Sequence, residues 1–180
     1  GTYSGTFNAV GSATTTVTIP GPAPTPTPVP PGSGFVSLQP IVVQTYLTAP
    51  VTITVMISGV THLGGYETAL RFDPAQVTVT AVSQAEFLTS TGRSLVALST
   101  RTGPDYVRFG ASTVGAASGP SGIGALARVR VSPRTVGTIT LILSDTLATN
   151  EAGQAISLSV QNGALYVINP GKAYLPLVIR

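Results

Sequence analysis

Cysteine and tryptophan are absent from this chain of 180 residues, and charged residues are scarce. Without cysteine the chain can form no disulfide, no thiolate nucleophile and no cysteine-ligated metal site. Charged residues make up only 8% of the chain, against about a quarter in an average globular domain. The nine Lys and Arg residues are scattered, and nucleic-acid binding needs clustered cations. We therefore expect no nucleic-acid partner.

Long apolar runs and helical periodicity are also missing. No stretch approaches the ~18 apolar residues that span a bilayer as a helix, so we expect no membrane span. Hydrophobic residues nevertheless reach 43%, which is too many for a disordered chain. With 20 Gly and 15 Pro between short runs rich in Val, Ile and Thr, the composition predicts an all-β protein. Because the chain begins at Gly1 without a leader, we expect a processed or excised piece of a longer secreted or cell-surface protein.

The distribution of proline and charge divides the chain into four parts. Residues 1–66 contain no Asp, Glu, Lys or Arg, and residues 20–34 read PGPAPTPTPVPPGSG. Proline at this density favours an extended polyproline rod, so we interpret residues 20–34 as a spacer. We expect a β-hairpin in residues 1–19, a β-sandwich in residues 35–169 and an apolar tail in residues 170–180.

The first 19 residues contain two alternating runs around Gly11 and Ser12, which predict a β-hairpin. The hairpin resembles the last two strands of an immunoglobulin-like or PKD-like domain. A two-stranded unit cannot bury a core, so its free edges should pair with another sheet. That sheet could belong to a neighbouring copy, which would give a filament, or to missing strands of the same protein. The predicted strand-addition residues are Tyr3, Phe7, Val17 and Ile19 of the hairpin and Tyr174, Leu175, Leu177 and Ile179 of the tail.

Residues 35–169 contain at least seven segments with period-two alternation, separated by Gly and Pro. Such a series predicts an antiparallel β-sandwich of about nine strands with negligible helix. The alternating segments are 51–57, 66–72, 77–82, 107–109, 126–131, 139–143 and 165–168.

Three motifs in this block resemble the cohesin family. They are residues 65–77 (GYETALRFDPAQV), residues 122–131 (GIGALARVRV) and residues 163–167 (GALYV). The resemblance covers about three quarters of the chain, and it implies a β-sandwich that receives a dockerin on the flat face of one sheet. Sandwich modules that bind carbohydrate share this architecture.

Alternation assigns side chains to the two faces of the predicted sheets. Tyr66, Leu70 and Phe72 should face inward, with Ala69 outward. In the cohesin-like arrangement the outward residues of three strands would share one sheet and form a partner-binding face, although an ordinary solvated face explains them equally well. These candidate residues are Glu67, Arg71, Tyr106, Arg108, Thr138 and Thr140.

Residues suited to catalysis are few. His62 is the single histidine, and none of the six carboxylates lies beside it in sequence. Because no local signature of a catalytic triad is present, we predict a solvated His62 and no enzymatic activity. Asp73 and Asp105 lie in predicted turns, where Asp stabilises the turn.

Metal, cofactor and sugar sites are weakly indicated. Asp145, Asn150 and Glu151 lie in a predicted loop, residues 144–153, but their spacing is not that of an EF-hand. We therefore favour turn stabilisation over calcium binding, and we predict no cofactor. Without tryptophan, only Tyr46 and Tyr106 could form an aromatic platform for a sugar, so carbohydrate binding ranks last.

We expect a non-catalytic extracellular assembly module. The leading hypothesis is a structural subunit of a surface filament joined by strand addition through its termini. The alternatives are a cohesin-type receptor for a dockerin and a carbohydrate-binding module. The expected partners are copies of this chain or another secreted protein, with polysaccharide as a further option.

Overall fold

The computed structural model describes residues 3–8, 14–19 and 34–169. Strands β1 (Tyr3–Asn8) and β2 (Thr14–Ile19) pair antiparallel with each other, in the segments predicted to form a hairpin. The linker up to residue 33 and the tail 170–180, with its predicted strand-addition residues, lie outside the described residues. Gly34, which we had assigned to the linker, begins the first strand of the larger domain.

Residues 34–169 form two sheets, and the prediction of an all-β sandwich is confirmed. One short 3-10 turn, Phe87–Thr89, interrupts the strands. The twelve strands exceed the expected nine because several short strands lack a clear alternation. They are β3 Gly34–Gln39, β4 Val42–Tyr46, β5 Val51–Val60, β6 Leu63–Arg71, β7 Val77–Gln84, β8 Ser94–Ala97, β9 Arg101–Thr102, β10 Tyr106–Val114, β11 Gly122–Pro133, β12 Gly137–Asn150, β13 Leu158–Gln161 and β14 Gly163–Ile168.

The larger sheet has seven strands in the order β4-β14-β12-β6-β10-β8, with β9 also paired to β10. The smaller sheet has five strands in the order β13-β3-β5-β11-β7. Neighbouring strands are antiparallel except for two parallel pairs, β4 with β14 and β3 with β13. The seven segments predicted from alternation lie in strands β5, β6, β7, β10, β11, β12 and β14, apart from Phe72, which follows the end of β6.

The hydrophobic core lies between the two sheets and follows the period-two pattern. In β12, Ile139, Leu141 and Leu143 are buried, while Thr138 and Thr140 are exposed. This alternation arises because successive side chains of a strand point to opposite faces. The largest fully buried side chains include Phe109, Leu38, Ile53, Ile57, Leu63, Leu70, Leu126 and Leu165.

A polar link through the core joins the two sheets. The Tyr66 hydroxyl on β6 donates to Oε1 of Gln84 on β7, 2.5 Å away. The Nε2 atom of Gln84 in turn donates to the carbonyl oxygen of Gly110 on β10, at 2.9 Å. Burial raises the pKa of Tyr66 well above its ordinary value, so the phenol remains a neutral donor.

The prediction of a loop at residues 144–153 is wrong for its first half. Strand β12 continues to Asn150, with a bulge after Ser144 at which Asp145 adopts a φ of 50°. On the inward side of the sheet, the buried Thr68 forms a hydrogen bond with the bulge, because its hydroxyl lies 2.7 Å from that of Thr146. Only the segment after Asn150 is a turn, because a strand can absorb extra residues as a bulge without ending.

Asn150 stabilises that turn, as its turn chemistry predicted. Its Oδ1 accepts hydrogen bonds from the backbone amides of Ala152 and Gln154, at 3.0 and 2.9 Å. Asp73 acts in the same way, since its Oδ1 accepts from the amide of Ala75 at 2.9 Å. Within the described residues, no three His, Asp or Glu side chains come close enough together to hold a metal ion.

Candidate partner-binding face

The outward face of the seven-stranded sheet collects the predicted partner-binding residues. Strand β6 lies between β12 and β10, so side chains from three strands meet in register. Arg71 lies opposite both Tyr106 and Ile142, while Ala69 lies opposite Arg108 and Ser144. The outward positions of β12, β6 and β10, with those of β8, of β9 and of the connecting residues 98–100 and 103–105 beside them, are called here the sheet face.

All six residues predicted for partner binding lie on the sheet face. Glu67, Arg71, Tyr106 and Arg108 occupy neighbouring positions on β6 and β10. Thr138 and Thr140 lie farther along β12, and with Arg71 and Ile142 they line a shallow depression of about 430 Å³.

Salt bridges connect the charged members of the sheet face. Arg108 lies 3.4 Å from Oε1 of Glu67 and 3.0 Å from Oδ2 of Asp145. Arg71 lies 3.3 Å from Oδ2 of Asp105 and 4.0 Å from that same oxygen of Asp145. Asp145 is therefore shared by the two arginines, and we call these five residues the charge network.

Two further contacts orient Arg71. Its Nε donates to Oγ of Ser144 at 3.1 Å, and its guanidinium carbon lies 5.7 Å from the centre of the Tyr106 ring. Both arginine side chains are partly exposed, at 46% for Arg71 and 39% for Arg108. Exposed ion pairs contribute at most about 1 kcal/mol each, so the network positions the guanidinium groups more than it stabilises the fold.

Ala69 occupies the side of β6 predicted for it, but it is shielded from water. It lies on the outward side of β6, yet it is only 1% exposed. Ala69 forms the floor of a depression whose walls include Arg71, Arg108 and Asp145. The long side chains around it exclude water from the short methyl group.

The other half of the sheet face is apolar. Leu98 and Leu147 stand on either side of a groove of about 220 Å³, whose lining includes Gly65, Ala111 and Ser112. Leu147 is 65% exposed and Leu98 is 42% exposed. Exposed leucines beside a groove can bury apolar area against a partner.

Gly110 lies in a tight space between the backbone of β6 and the side chain of Leu98. A Cβ atom at this position would lie 2.4 Å from the carbonyl oxygen of Tyr66 and 3.1 Å from Cδ1 of Leu98. A side chain at position 110 could therefore fit only if the backbone of β6 or the side chain of Leu98 moved. Glycine therefore allows β6 and β10 to pack closely and leaves Leu98 uncovered.

Four elements of the sheet face were not predicted from the sequence. Asp145 and Asp105 were assigned to loops or turns, and neither Leu98 nor Leu147 was considered. Leu147 follows the bulge, and the extra residue sets which face the leucine occupies. The position of Asp105 beside the sheet face could have been predicted, because the Gly-Pro-Asp turn directly precedes the alternating strand that carries Tyr106.

His62 has an acidic neighbour that the sequence did not reveal. Its side chain is 56% exposed, in keeping with the predicted solvated histidine, and its Nδ1 lies 3.4 Å from Oε1 of Glu151. Ser121 is also close, but its Oγ accepts from the backbone amide of His62 at 2.9 Å rather than contacting the imidazole. The other Glu151 oxygen accepts from the amide of Gly119, and the cluster thus ties three connecting segments together at one end of the sandwich.

The two tyrosines considered for sugar binding are far apart. Tyr46 is 52% exposed on β4, and Tyr106 lies four strand positions away on β10. At about 4.8 Å per strand the separation is roughly 19 Å, so the pair does not form one aromatic platform.

Several solved structures are similar to this protein over about three quarters of its chain. No protein-family model and no curated protein matches the sequence. A non-cellulosomal cohesin from Archaeoglobus fulgidus is 14% identical, with a TM-score of 0.63, covering 76% of this chain and 92% of that one. The sixth cohesin of scaffoldin B from Acetivibrio cellulolyticus, solved in complex with a Cel5 dockerin, is 12% identical, with a TM-score of 0.61 over 76% and 99% of the chains. CaCohA2 from Clostridium acetobutylicum is 20% identical, with a TM-score of 0.60 over 75% and 90%.

Residues 34–169 have the cohesin fold. The resemblance stated from residues 65–77, 122–131 and 163–167 is therefore confirmed at the level of the fold. All three segments lie in or beside the strands of the cohesin-like domain, β6 and β7, β11, and β14.

No helix in residues 3–8, 14–19 and 34–169 is long and apolar enough to span a bilayer.

Proposed function

We propose that the cohesin-like domain is a non-catalytic receptor that binds a dockerin-type protein partner on the sheet face. The observation that carries this proposal is the combination of an exposed apolar groove and an ordered charge network on one sheet of a cohesin fold. Solved neighbours include a cohesin in complex with a dockerin. This function is the alternative that the sequence analysis placed behind a filament subunit, and the comparisons support it better.

The two halves of the sheet face have different roles in this proposal. Leu98 and Leu147 bury apolar area of the partner, which supplies most of the affinity. The charge network presents two guanidinium groups that are already held in place by carboxylates and by Ser144. Preorganised arginines lose little freedom on binding, and charged groups around an apolar centre give specificity more than affinity.

The experiment measures binding of dockerin-type modules encoded in the same genome, produced singly and titrated calorimetrically into the full chain. We expect at least one module to bind, and Leu147→Asp to weaken that binding at least about 100-fold, because the carboxylate would be buried in the groove. Ile123→Asp is the matched control, since Ile123 is 70% exposed on β11 of the opposite sheet. It should leave the affinity unchanged.

Two outcomes would contradict the proposal. One is that no dockerin-type module binds. The other is that Leu147→Asp and Ile123→Asp affect binding equally, which would place the partner elsewhere. Arg71→Ala and Tyr106→Ala extend the test to the charged half, where a loss of affinity is expected for both.

We also propose an extracellular, surface-associated location, in keeping with the proline and threonine linker and with the absence of cysteine. Strand addition through β1, β2 and the tail remains a prediction for a second mode of assembly. Electron microscopy of the native material tests it, because deleting residues 1–19 should abolish any filaments.

A further inference from the structure

Tyr46 and Tyr166 lie close together on neighbouring strands of the seven-stranded sheet. In the parallel pairing of β4 with β14, Tyr166 lies opposite Gln44, and Ile168 lies opposite Tyr46. The two tyrosines are therefore one strand and two residues apart, a diagonal of roughly 8 Å between their Cα atoms. Tyr46 thus has a much closer aromatic neighbour than Tyr106.

Both tyrosines face outward. Tyr46 is 52% exposed. Leu165 and Val167 enter the core, so Tyr166 between them points to the opposite side of β14. On the next strand, Thr138 lies directly opposite Tyr166 and is itself exposed. The tyrosine pair is therefore bordered by an open hydroxyl group.

This part of the sheet carries no charge. Strands β4 and β14 and the first six residues of β12 contain no Asp, Glu, Lys or Arg. Their outward side chains are either apolar or neutral hydrogen-bonding groups. Six of these outward residues are called here the neutral patch: Gln44, Tyr46, Thr138, Thr140, Tyr166 and Ile168.

The depression of about 430 Å³ described above adjoins the neutral patch. Thr138 and Thr140 belong to both, and Gln76 and Ile142 add an amide and an apolar surface to the depression. Ligand sites in proteins commonly have volumes of about 300–1,000 Å³ and combine apolar walls with a few polar groups. The depression therefore gives a ligand room one strand away from the ring of Tyr166.

The two charged residues that line the depression are already engaged within the protein. Arg71 lies 3.3 Å from Oδ2 of Asp105, and Oδ1 of Asp73 accepts from the amide of Ala75 at 2.9 Å. An ionic ligand would thus meet no countercharge on the neutral patch, whereas a neutral ligand leaves no charge without a partner.

We infer that the neutral patch binds a neutral polysaccharide chain. A sugar ring has a face of C–H groups, which stacks on an aromatic ring, and an edge of hydroxyls, which bond to hydroxyl and amide side chains. Tyr46 and Tyr166 supply the stacking surface, and Thr138, Thr140 and Gln44 supply the hydrogen bonds. No ion of either sign is needed.

The inference does not rest on the dockerin-type partner. Leu147, which borders the apolar groove, lies opposite Glu67, whereas Ile142 beside the neutral patch lies opposite Arg71. The charge network therefore separates the groove from the neutral patch along β12 and β6.

The experiment titrates the full chain calorimetrically with four neutral β-1,4-linked hexasaccharides, built from glucose, xylose, mannose and N-acetylglucosamine. We expect at least one to bind. Tyr46→Ala and Tyr166→Ala should each weaken that binding at least about 10-fold, because each removes a stacking ring. Tyr166→Phe keeps the ring and should stay within about 3-fold of the natural chain.

The matched control is Ile123→Ala. Ile123 is 70% exposed on β11 of the opposite sheet, so the variant removes an exposed apolar side chain without touching the neutral patch. It should bind the hexasaccharide as the natural chain does. Circular dichroism of each variant, compared with the natural chain, verifies that the sandwich is intact.

Tyrosine NMR signals provide a second readout that needs no loss of affinity. The chain has six tyrosines and no tryptophan, and the ring signals of Tyr46 and Tyr166 are assigned by changing each residue to Phe. Addition of the hexasaccharide that binds should shift these two signals. The ring of Tyr66, which is buried between the sheets, should keep its position.

Three outcomes would overturn the inference. The first is that none of the four hexasaccharides binds. The second is that Tyr166→Ala and Ile123→Ala weaken binding equally, or that the signals of Tyr46 and Tyr166 do not shift. The third is that Tyr166→Ala weakens a dockerin-type module while no hexasaccharide binds, which would make the neutral patch a protein-binding surface.

Discussion

Arg108 donates a hydrogen bond from Nη2 to Oδ2 of Asp145 across 3.0 Å, although the two residues are 37 positions apart in the chain. The contact exists because the bulge in β12 turns Asp145 toward the neighbouring strands with a φ of 50°. The same oxygen lies 4.0 Å from Arg71. One carboxylate therefore brings two arginines of different strands into one network on the sheet face.

The first prediction concerns the energy of this pair. Asp145→Asn and Arg108→Gln, measured singly and together by urea unfolding, should show a coupling of at most about 1 kcal/mol, since both side chains are partly exposed. A coupling above about 2 kcal/mol would show instead that the network stabilises the fold as a buried ion pair does.

The second prediction concerns the link between the sheets. Tyr66→Phe leaves the half-buried Gln84 without its donor and should lower the free energy of unfolding by about 1–2 kcal/mol. Tyr166→Phe on the outward side of β14 is the matched control, with a change expected within about 0.5 kcal/mol. A stability loss as large in the control would show that the cross-sheet hydrogen bond is not responsible.

The raised pKa of Tyr66 gives this variant a pH signature. Above the ordinary tyrosine pKa of about 10, the unfolded chain releases the phenol proton while the folded chain retains it, so stability falls as pH rises. Tyr66→Phe removes that contribution. Its unfolding free energy should therefore decline less steeply than that of the natural chain above pH 10, and identical slopes would contradict the assignment.

The third prediction concerns the close approach of β6 and β10. Gly110→Ala forces a Cβ against the carbonyl oxygen of Tyr66, and backbone atoms cannot yield as a flexible side chain can. We expect a loss of about 1–3 kcal/mol in urea unfolding. Ser112→Ala, two residues along the same strand, should change stability by less than about 0.5 kcal/mol. An unaltered Gly110→Ala protein would show that the strands can separate freely.

The fourth prediction concerns the opposite sheet. Arg128 donates to both carboxylate oxygens of Glu86, at 2.9 and 3.0 Å, and these hydrogen bonds lower the pKa of Glu86. Titration of the Glu86 carboxyl by NMR should give a pKa below its ordinary value, and Arg128→Gln should raise it toward that value. Arg130→Gln, on the same face of β11, should leave it unchanged.

The sign of the linked stability follows from the direction of this shift. A carboxyl with a lowered pKa stabilises the fold above its unfolded pKa, and the contribution is lost as pH falls through the folded pKa. The difference in stability between the natural chain and Arg128→Gln should thus be present at neutral pH and vanish in acid. A difference that grows in acid would contradict it.

Local alternation determined most of the fold and part of the sheet face. In β12, Ile139 and Leu141 alternate with Thr138 and Thr140, and that pattern alone predicts which side chains enter the core. The same reasoning assigned Arg71 and Arg108 to the outward side of their strands. Such predictions succeed because the direction of a side chain in a regular strand depends only on its position in the sequence.

Features that depend on the pairing of strands and the packing of distant segments could be determined only from the tertiary structure. The bulge at Asp145 depends on how β12 pairs with β6 and on the buried Thr68 beneath it, and one extra residue reverses the facing of every residue that follows. Leu147 consequently joins the sheet face, and Asp145 meets two arginines. His62 meets Glu151 for a related reason, since the two residues are 89 positions apart in the chain and only the packing of three connecting segments brings them together.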